Sequence, residues 1–362
     1  MGRQASRAPA IKGFPQAQAL ATLRRALLAW YRKHRRDLPW RRSQDPYRIW
    51  ISEVMLQQTT VQTVRPYYEA FVGRFPTLGG LAAAPLEDVL ARWSGLGYYS
   101  RARNLQRGAQ AIQREHGGTF PRDLERALSI PGVGPYTARA VLSIAYGVRV
   151  PVVDGNVRRV LARVLALRGK AWRSDKPYLA PAAALLAPRA PADWNQAVME
   201  LGATVCRPRE PNCPACPLRR FCRSRAEGLV SQIPEARLRR ESQRVEVAAA
   251  LIEHAGRVLL VQRVAGPLMA GLWELPQTSL ASRGRDDLET ELRARHGLRV
   301  KVGAPLCTVR HAITYRRIQA SVYAARLLRP LPRRAGLFRW VRRDELTGLP
   351  LSALTFKLLG LR

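Results

Sequence analysis

The chain has 362 residues, 47% of them hydrophobic, so it exceeds one typical core and two domains are the first expectation. Its net charge of +35, nearly all from arginine, creates a positive field suited to a polyanion, with phosphate neutralisation and counterion release as the means of using it. The absence of any run of 18 apolar residues excludes a membrane-spanning helix.

Residues 1–16 read as a disordered basic tail, and the match of Met1-Gly2-Arg3-Gln4-Ala5-Ser6 to a myristoylation pattern reads as chance. From Ala17 helical periodicity dominates, and a helical domain is expected over 17–205. Leu20, Leu23, Leu27, Trp30 and Tyr31 recur on one helical face. Ser52 to Phe71 reads as a second long amphipathic segment, and Arg101 to His116 as a third, stopped by Gly117-Gly118. A cysteine-bearing loop follows at 206–222, then a polar, aperiodic linker at 223–244. The remainder, 245–362, turns to β-type runs. Val245 to Ile252 and Val258 to Val264 flank His254-Ala255-Gly256 as a hairpin. A helix is expected from Asp286 to His296, with strands at Ile318 to Leu327 and Leu337 to Val341. The expected architecture is multi-domain, an all-α domain followed by an α+β module.

Several motifs carry chemistry. Trp93 to Arg103, with Gly95, Leu96, Gly97, Tyr98 and Tyr99, interleaves glycine, aromatic and arginine. Aromatics there could wedge into bases while arginines hold phosphates, or the segment is a capped turn with core tyrosines. Pro131-Gly132-Val133-Gly134-Pro135-Tyr136 is a tight turn into a new helix, whose free amides can bind a phosphate oxygen without reading sequence; the alternative is an ordinary helix–helix connection. Glu53 sits among apolar neighbours, where desolvation favours the protonated acid; the alternative is a first-turn glutamate behind a Ser52 cap. Asp154 lies between an apolar run and a new helix, as a helix cap, a reactive carboxylate or both.

Cys206, Cys213, Cys216 and Cys222 form a C-x6-C-x2-C-x5-C run that suits one zinc ion or one iron–sulfur cluster. Zinc sites of four cysteines usually pair C-x2-C hairpins, and only Cys213 and Cys216 are so spaced, which favours the cluster. Disulfides fit poorly with the arginine-rich setting, and a reducing cytosol is the compartment implied. Cys307 reads as an inert core residue.

A turn between helices, a Gly/Pro-rich loop with an aspartate, and a four-cysteine run resemble the helix-hairpin-helix DNA glycosylases of the endonuclease III superfamily. Within it, Ser52-Glu53 to Gln57-Gln58-Thr59, Gly95 to Tyr99, Asp154-Gly155-Asn156-Val157 and Asn195-Gln196 resemble the MutY-type adenine glycosylases. The resemblance runs from about Leu38 to Cys222 and resumes weakly in the C-terminal module. It implies a [4Fe-4S] cluster on the four cysteines, monomeric action on double-stranded DNA, and removal of adenine opposite 8-oxoguanine or guanine by base flipping. It implies Glu53 as proton donor and water activator and Asp154 as partner of the sugar cation, with Tyr136 and Asn156 in support. It further implies Gln196 at the adenine, Gln58 and Tyr98 inserted into the duplex, and Gln57, Leu96, Gly132 and Gly134 on the DNA. Bifunctional relatives place a Schiff-base lysine where this chain has Tyr136, so a monofunctional glycosylase is expected. Another lysine position, four residues after the aspartate, holds Arg158.

The C-terminal module resembles a Nudix fold through Gly271 to Pro276, but the paired metal-binding glutamates fall at Ala294 and Arg295, so nucleotide hydrolysis is not expected. By resemblance it would sense 8-oxoguanine through His311, with Arg310 replacing the family's serine. The alternatives are a pyrimidine-damage glycosylase with lyase activity, and a non-catalytic lesion-binding protein.

Overall fold

A computed structural model describes residues 16–169, 173–236, 241–264, 269–280, 285–331 and 337–361. Residues 1–15 of the expected tail, with the Met1-Gly2 start, lie outside them, as do residues 237–240 of the expected linker. The helices of the first half are α1 (Ala17–His34), α2 (Pro46–Met55), α3 (Val61–Arg74), α4 (Leu78–Ala83), α5 (Leu86–Trp93) and α6 (Ser100–Glu115). They continue with α7 (Leu124–Ser129), α8 (Pro135–Tyr146), α9 (Gly155–Val164), α10 (Lys176–Leu185), α11 (Pro191–Thr204) and α12 (Arg223–Ala226). Then come β1 (Gln243–His254), β2 (Arg257–Gln262), β3 (Trp273–Glu274), β4 (Gln277–Leu280), α13 (Arg285–His296), β5 (Val300–Ile313), β6 (Arg316–Leu327), β7 (Phe338–Arg342) and α14 (Ala353–Leu358).

The chain folds as two compact units. One comprises Met1–Val61 and Gly108–Leu238, the other Gln62–Arg107 and Arg239–Arg362. In the first, Leu23, Leu27 and Tyr31 of α1 recur at i, i+4 and i+8 and pack against Val157, Val160 and Leu161 of α9 and Trp194, Val198 and Leu201 of α11. Each such aliphatic side chain contributes roughly 1.5–3 kcal/mol by leaving water. Half of the expected linker joins this core, since Ile233 is buried and its carbonyl accepts from Arg163 Nε at 2.8 Å.

The long helix expected from Ser52 to Phe71 is broken. The first helix, α2, begins earlier, with Pro46 at its first position and Asp45 Oδ1 accepting from Tyr47 N at 2.9 Å. It ends at Met55, and Gln58 takes a φ of 58°, outside helical geometry, before α3 restarts. Periodicity survived the break because both helices bury apolar faces. Helix α7 is capped by Asp123 Oδ1, which accepts from Arg126 N at 3.0 Å. The hairpin then closes through Gly132, whose φ of 81° a side chain would strain, and α8 starts at Gly134 and Pro135 with no side-chain cap.

In the second unit, α3 and α5 pack through Phe71, which lies 4.9 Å from Phe75 and 5.8 Å from Trp93 between ring centroids. The sheet runs β3-β2-β1-β6-β5, with β4 added to β1 and β7 to β2. Strand β1 is antiparallel to β2 and parallel to β6. The expected hairpin turns on Ala255 and Gly256, with φ of 48° and 73°. Along β1, Val247 and Ala249 face a core with Leu354 and Phe356 of α14, while Ala248, Ala250 and Ile252 face Leu288 and Leu292 of α13. Cys307, expected in the core, is exposed. It follows register shifts in β5 between Val302 and Cys307, beyond which the strand alternates mostly between exposed and half-buried positions.

Candidate active site

Helices α2, α8, α9 and α11 of the first unit carry the polar residues singled out above. Glu53 stands in the last turn of α2, not the first, and Ser52 Oγ donates to Ile49 O at 2.8 Å instead of capping. The helix dipole therefore gives no support to a charge there; its negative end is nearer. Glu53 is 6% exposed, and burial raises its pKa to about 7, with the Asp154 charge pushing the same way. The Tyr136 hydroxyl, from the first turn of α8, donates to Glu53 Oε2 at 2.5 Å and partly offsets that rise. Burial, then the Glu53 and Asp154 charges, hold the phenol itself well above its ordinary range. Asp154 thus acts electrostatically on both partners.

Asp154 is the N-cap of α9, so the two readings offered for it are compatible. Its Oδ1 accepts from Val157 N at 2.7 Å and its Oδ2 from Asn156 Nδ2 at 2.9 Å. Burial raises its pKa, opposed by these donors and by the Arg159 charge. Arg159 was not anticipated. Its Nη2 donates to Asn156 Oδ1 and to Gly202 O, each at 2.8 Å, and its Nε donates to Cys206 O at 2.7 Å. One guanidinium therefore joins the aspartate's neighbour to the first residue of the cysteine run. Helix α11 approaches closely enough for this because Gly202 has no side chain: a Cβ there would lie 2.6 Å from Asn156 Cβ.

On α11, buried Asn195 accepts from Val152 N at 3.2 Å and donates to Ser143 Oγ at 2.8 Å and Val150 O at 2.9 Å, fixing the segment that leads into Asp154. Gln196 is half-buried, one turn before Met199, whose Sδ lies 3.7 Å from the Tyr136 hydroxyl. Glu200 is buried between Arg36 and Arg41, which hold its pKa at about 2 despite burial. Gln57 Nε2 donates to Thr137 Oγ1 at 3.2 Å, whereas Gln58 is exposed with its left-handed backbone. Gly132 and Gly134 are both exposed. Arg158 pairs with Asp175 at 2.8 Å.

In the second unit Tyr98 is 44% exposed with a φ of 49°, while Leu96, expected on DNA, is buried. His311 is half-buried on β5, and burial, then the Lys357 charge, lower its pKa, which favours the neutral ring.

Cys206, Cys213, Cys216 and Cys222 line one cavity with Arg163 and Arg219. Four cysteine side chains on one cavity are a donor set for a metal centre, either an iron–sulfur cluster or zinc. Burial pushes the Cys216 thiol up to about 12, so ligation would need the charge of bound iron to hold the thiolate. Arg163 Nη1 donates to Cys206 Sγ at 3.4 Å, the kind of contact that moderates cluster charge.

Residues 51–178 match the family of HhH-GPD superfamily base excision DNA repair proteins, and residues 247–361 match the NUDIX domain. An adenine DNA glycosylase of Mycolicibacterium smegmatis is 45% identical over 216 residues, 59% of this chain and 73% of that one. The chain belongs to the adenine DNA glycosylase family. A human adenine DNA glycosylase is 39% identical over 322 residues, 74% of this chain but 59% of the human protein, so the chain spans about six-tenths of that relative. A thermostable thymine-DNA glycosylase of known structure is 28% identical, covers 58% of this chain and 98% of its own, and gives a TM-score of 0.53. An endonuclease III bound to DNA, 24% identical over 60% of this chain and all of its own, gives a TM-score of 0.52 and shows the fold. For this family member the Nudix-like module is the C-terminal part of the second unit.

Proposed function

We propose that this chain removes adenine mispaired with 8-oxoguanine or guanine in double-stranded DNA, as a monofunctional glycosylase acting as a monomer. The observation that carries the reading is the contact of Tyr136 with Glu53, both under the charge of Asp154. A carboxyl that titrates near 7 is half protonated at neutral pH and can donate. With the adenine turned out of the stack, Glu53 would give its proton to N7, and the C1′–N9 electron pair would leave with the base. The Asp154 carboxylate would meet the resulting sugar cation, as a transient covalent partner in the manner of retaining glycosidases. Glu53, now a carboxylate, would take a proton from the water that attacks C1′ and displaces Asp154, restoring the Glu53 acid and the Asp154 carboxylate. Asn156 orients Asp154 through Oδ2, and Gln196 is assigned to the adenine edge.

Tyr136 supplies no amine, so no imine forms at this position and strand cleavage is not part of the reaction. The four cysteines would hold a [4Fe-4S] cluster, which when bound supplies structural cross-linking of the loop. Gln57, Gln58, Gly132 and Gly134 are assigned to DNA, with the net charge of +35 supporting phosphate contact, and His311 to the opposing lesion. The test is single-turnover excision on an adenine:8-oxoguanine duplex by the wild type, Glu53→Gln and Asp154→Asn. Both variants should lose at least a hundredfold, and borohydride should trap no covalent product. Equal rates in all three would overturn the proposal.

A further inference from the structure

Within the second unit, the turn carrying Tyr98 is fastened from two sides. Its backbone is unusual: Gly95, Gly97 and Tyr98 have φ of 103°, 72° and 49°. A non-glycine residue in that region is held there by its surroundings. From the helical side, Trp93 Nε1 and Arg101 Nη2 each donate to Gly97 O at 3.2 Å. The Arg101 guanidinium carbon lies 5.4 Å from the centroid of the Trp93 ring and 5.4 Å from that of Tyr98.

The other hold comes from the Nudix-like module. Ser94 Oγ, just before the turn, donates to Leu351 O at 2.6 Å, and the Tyr99 hydroxyl, just after Tyr98, donates to the same oxygen at 3.1 Å. The Tyr99 hydroxyl also accepts from Gly95 N at 3.2 Å, so the turn closes on the group that anchors it. Leu351 is itself fixed: it is fully buried and bridges Trp273, whose backbone N–H donates to Pro350 O at 2.9 Å. Trp273 continues the attachment, its Nε1 donating to Glu87 Oε1 of α5 at 2.9 Å. Arg339 grips the same carboxylate at 2.8 Å with its guanidinium 4.6 Å over the Trp273 ring. Farther along, Arg103 Nη1 of α6 donates to Ala270 O at 2.7 Å. Buried Tyr99 and exposed Tyr98 are thus adjacent residues with opposite tasks.

We propose that the Nudix-like module is a positioning element for Tyr98, its Leu351 carbonyl holding Ser94 and Tyr99 so that the turn between them presents the Tyr98 ring to duplex DNA. Ser94 and Tyr99 are then positioning residues acting through Tyr98. The module's contribution to mispair recognition would include setting the helical domain's wedge in advance, in addition to any contact its own residues make. Preorganisation of this kind increases affinity by lowering the ordering cost at binding. The inference rests on the reading of the chain as a duplex-handling glycosylase with Tyr98 as an inserted residue.

A double-mutant cycle tests it, in a Glu53→Gln background to prevent turnover. Dissociation constants are measured by fluorescence anisotropy for an adenine:8-oxoguanine duplex and a fully paired duplex, with 2-aminopurine beside the mispair reporting unstacking. Ser94→Ala with Tyr99→Phe should weaken mispair binding about tenfold and reduce the 2-aminopurine signal, with paired-duplex binding unchanged and a melting temperature lowered by only a few degrees, as two lost hydrogen bonds to Leu351 O require. In a Tyr98→Ala protein the same pair of changes should have no further effect. Ser94→Ala alone, a milder change, should show the same pattern at smaller amplitude. If Tyr98→Ala weakens mispair binding but the Ser94 and Tyr99 changes have no effect, or add fully to it, the positioning role is overturned and the glycosylase reading stands. If Tyr98→Ala leaves mispair binding intact, the insertion reading falls and the positioning role with it.

Discussion

Gly202 of α11 faces Asn156 of α9 so closely that a methyl group at Gly202 would stand 2.6 Å from the Asn156 Cβ and 3.1 Å from its Cα. Backbone and Cβ cannot swing aside as a flexible side-chain end would. Gly202→Ala should therefore displace Asn156, weaken its 2.9 Å bond to Asp154, and cost about 1–3 kcal/mol of stability. Excision in single turnover should fall by about tenfold or more while the melting temperature drops by a few degrees. Unchanged excision would mean that Asn156 does not orient Asp154.

The raised pKa of Glu53 sets the pH dependence of the proposed reaction. The acid form is present below about 7 and is lost above it, so excision should decline as pH rises through that value. The Tyr136 hydroxyl favours the carboxylate, so Tyr136→Phe should shift the alkaline limb upward while reducing the maximal rate. Single-turnover rates from pH 5 to 9 check both, about tenfold being lost per unit well above the midpoint.

Arg159 bonds to Asn156, Gly202 and Cys206, so its loss should be felt at both ends. Arg159→Gln is expected to lower excision and to loosen the cysteine loop, speeding release of iron to a chelator. Arg159→Lys, with one point charge in place of a fork, should recover only part of either. A variant with normal excision and normal iron retention would rule out this coupling.

Glu200 gives an acid-sensitive fastening. Its folded pKa of about 2 lies below the ordinary 4.5, so its contribution is complete above that value and disappears as pH falls towards 2. The difference corresponds to about 3 kcal/mol at neutral pH. Glu200→Gln should lower the urea midpoint at pH 7 and flatten its pH dependence between 5 and 3, as denaturation curves would show.

Much of this was legible in the sequence. Glu53 could be singled out as a desolvated acid by its apolar neighbours, but only the start of α2 at Pro46 removed the alternative of a first-turn glutamate behind Ser52, whereas the Ala255-Gly256 hairpin followed from its turn chemistry. Helix α6 and its glycine stop were readable for similar local reasons. The break between α2 and α3 was missed because hydrophobic spacing continues across it and only the backbone of Gln58 marks it. The exposure of Cys307 depends on shifted strand register, which residue type does not encode. Arg159 was hidden among many arginines, its partners Gly202 and Cys206 lying more than forty residues away in the chain. The attachment of residues 62–107 to the C-terminal module likewise has no local signature; Leu351 meets Ser94 across 257 positions.

The carboxylate of Asp154 also begins a helix, and the duty separates two substitutions that would otherwise look alike. Asparagine keeps an oxygen for the Val157 amide and preserves the start of α9, whereas alanine forfeits the cap at about 1 kcal/mol. The proposed reactive carboxylate can therefore be silenced without unseating the scaffold that carries it, leaving an intact protein suited to holding an uncleaved duplex still for crystallography.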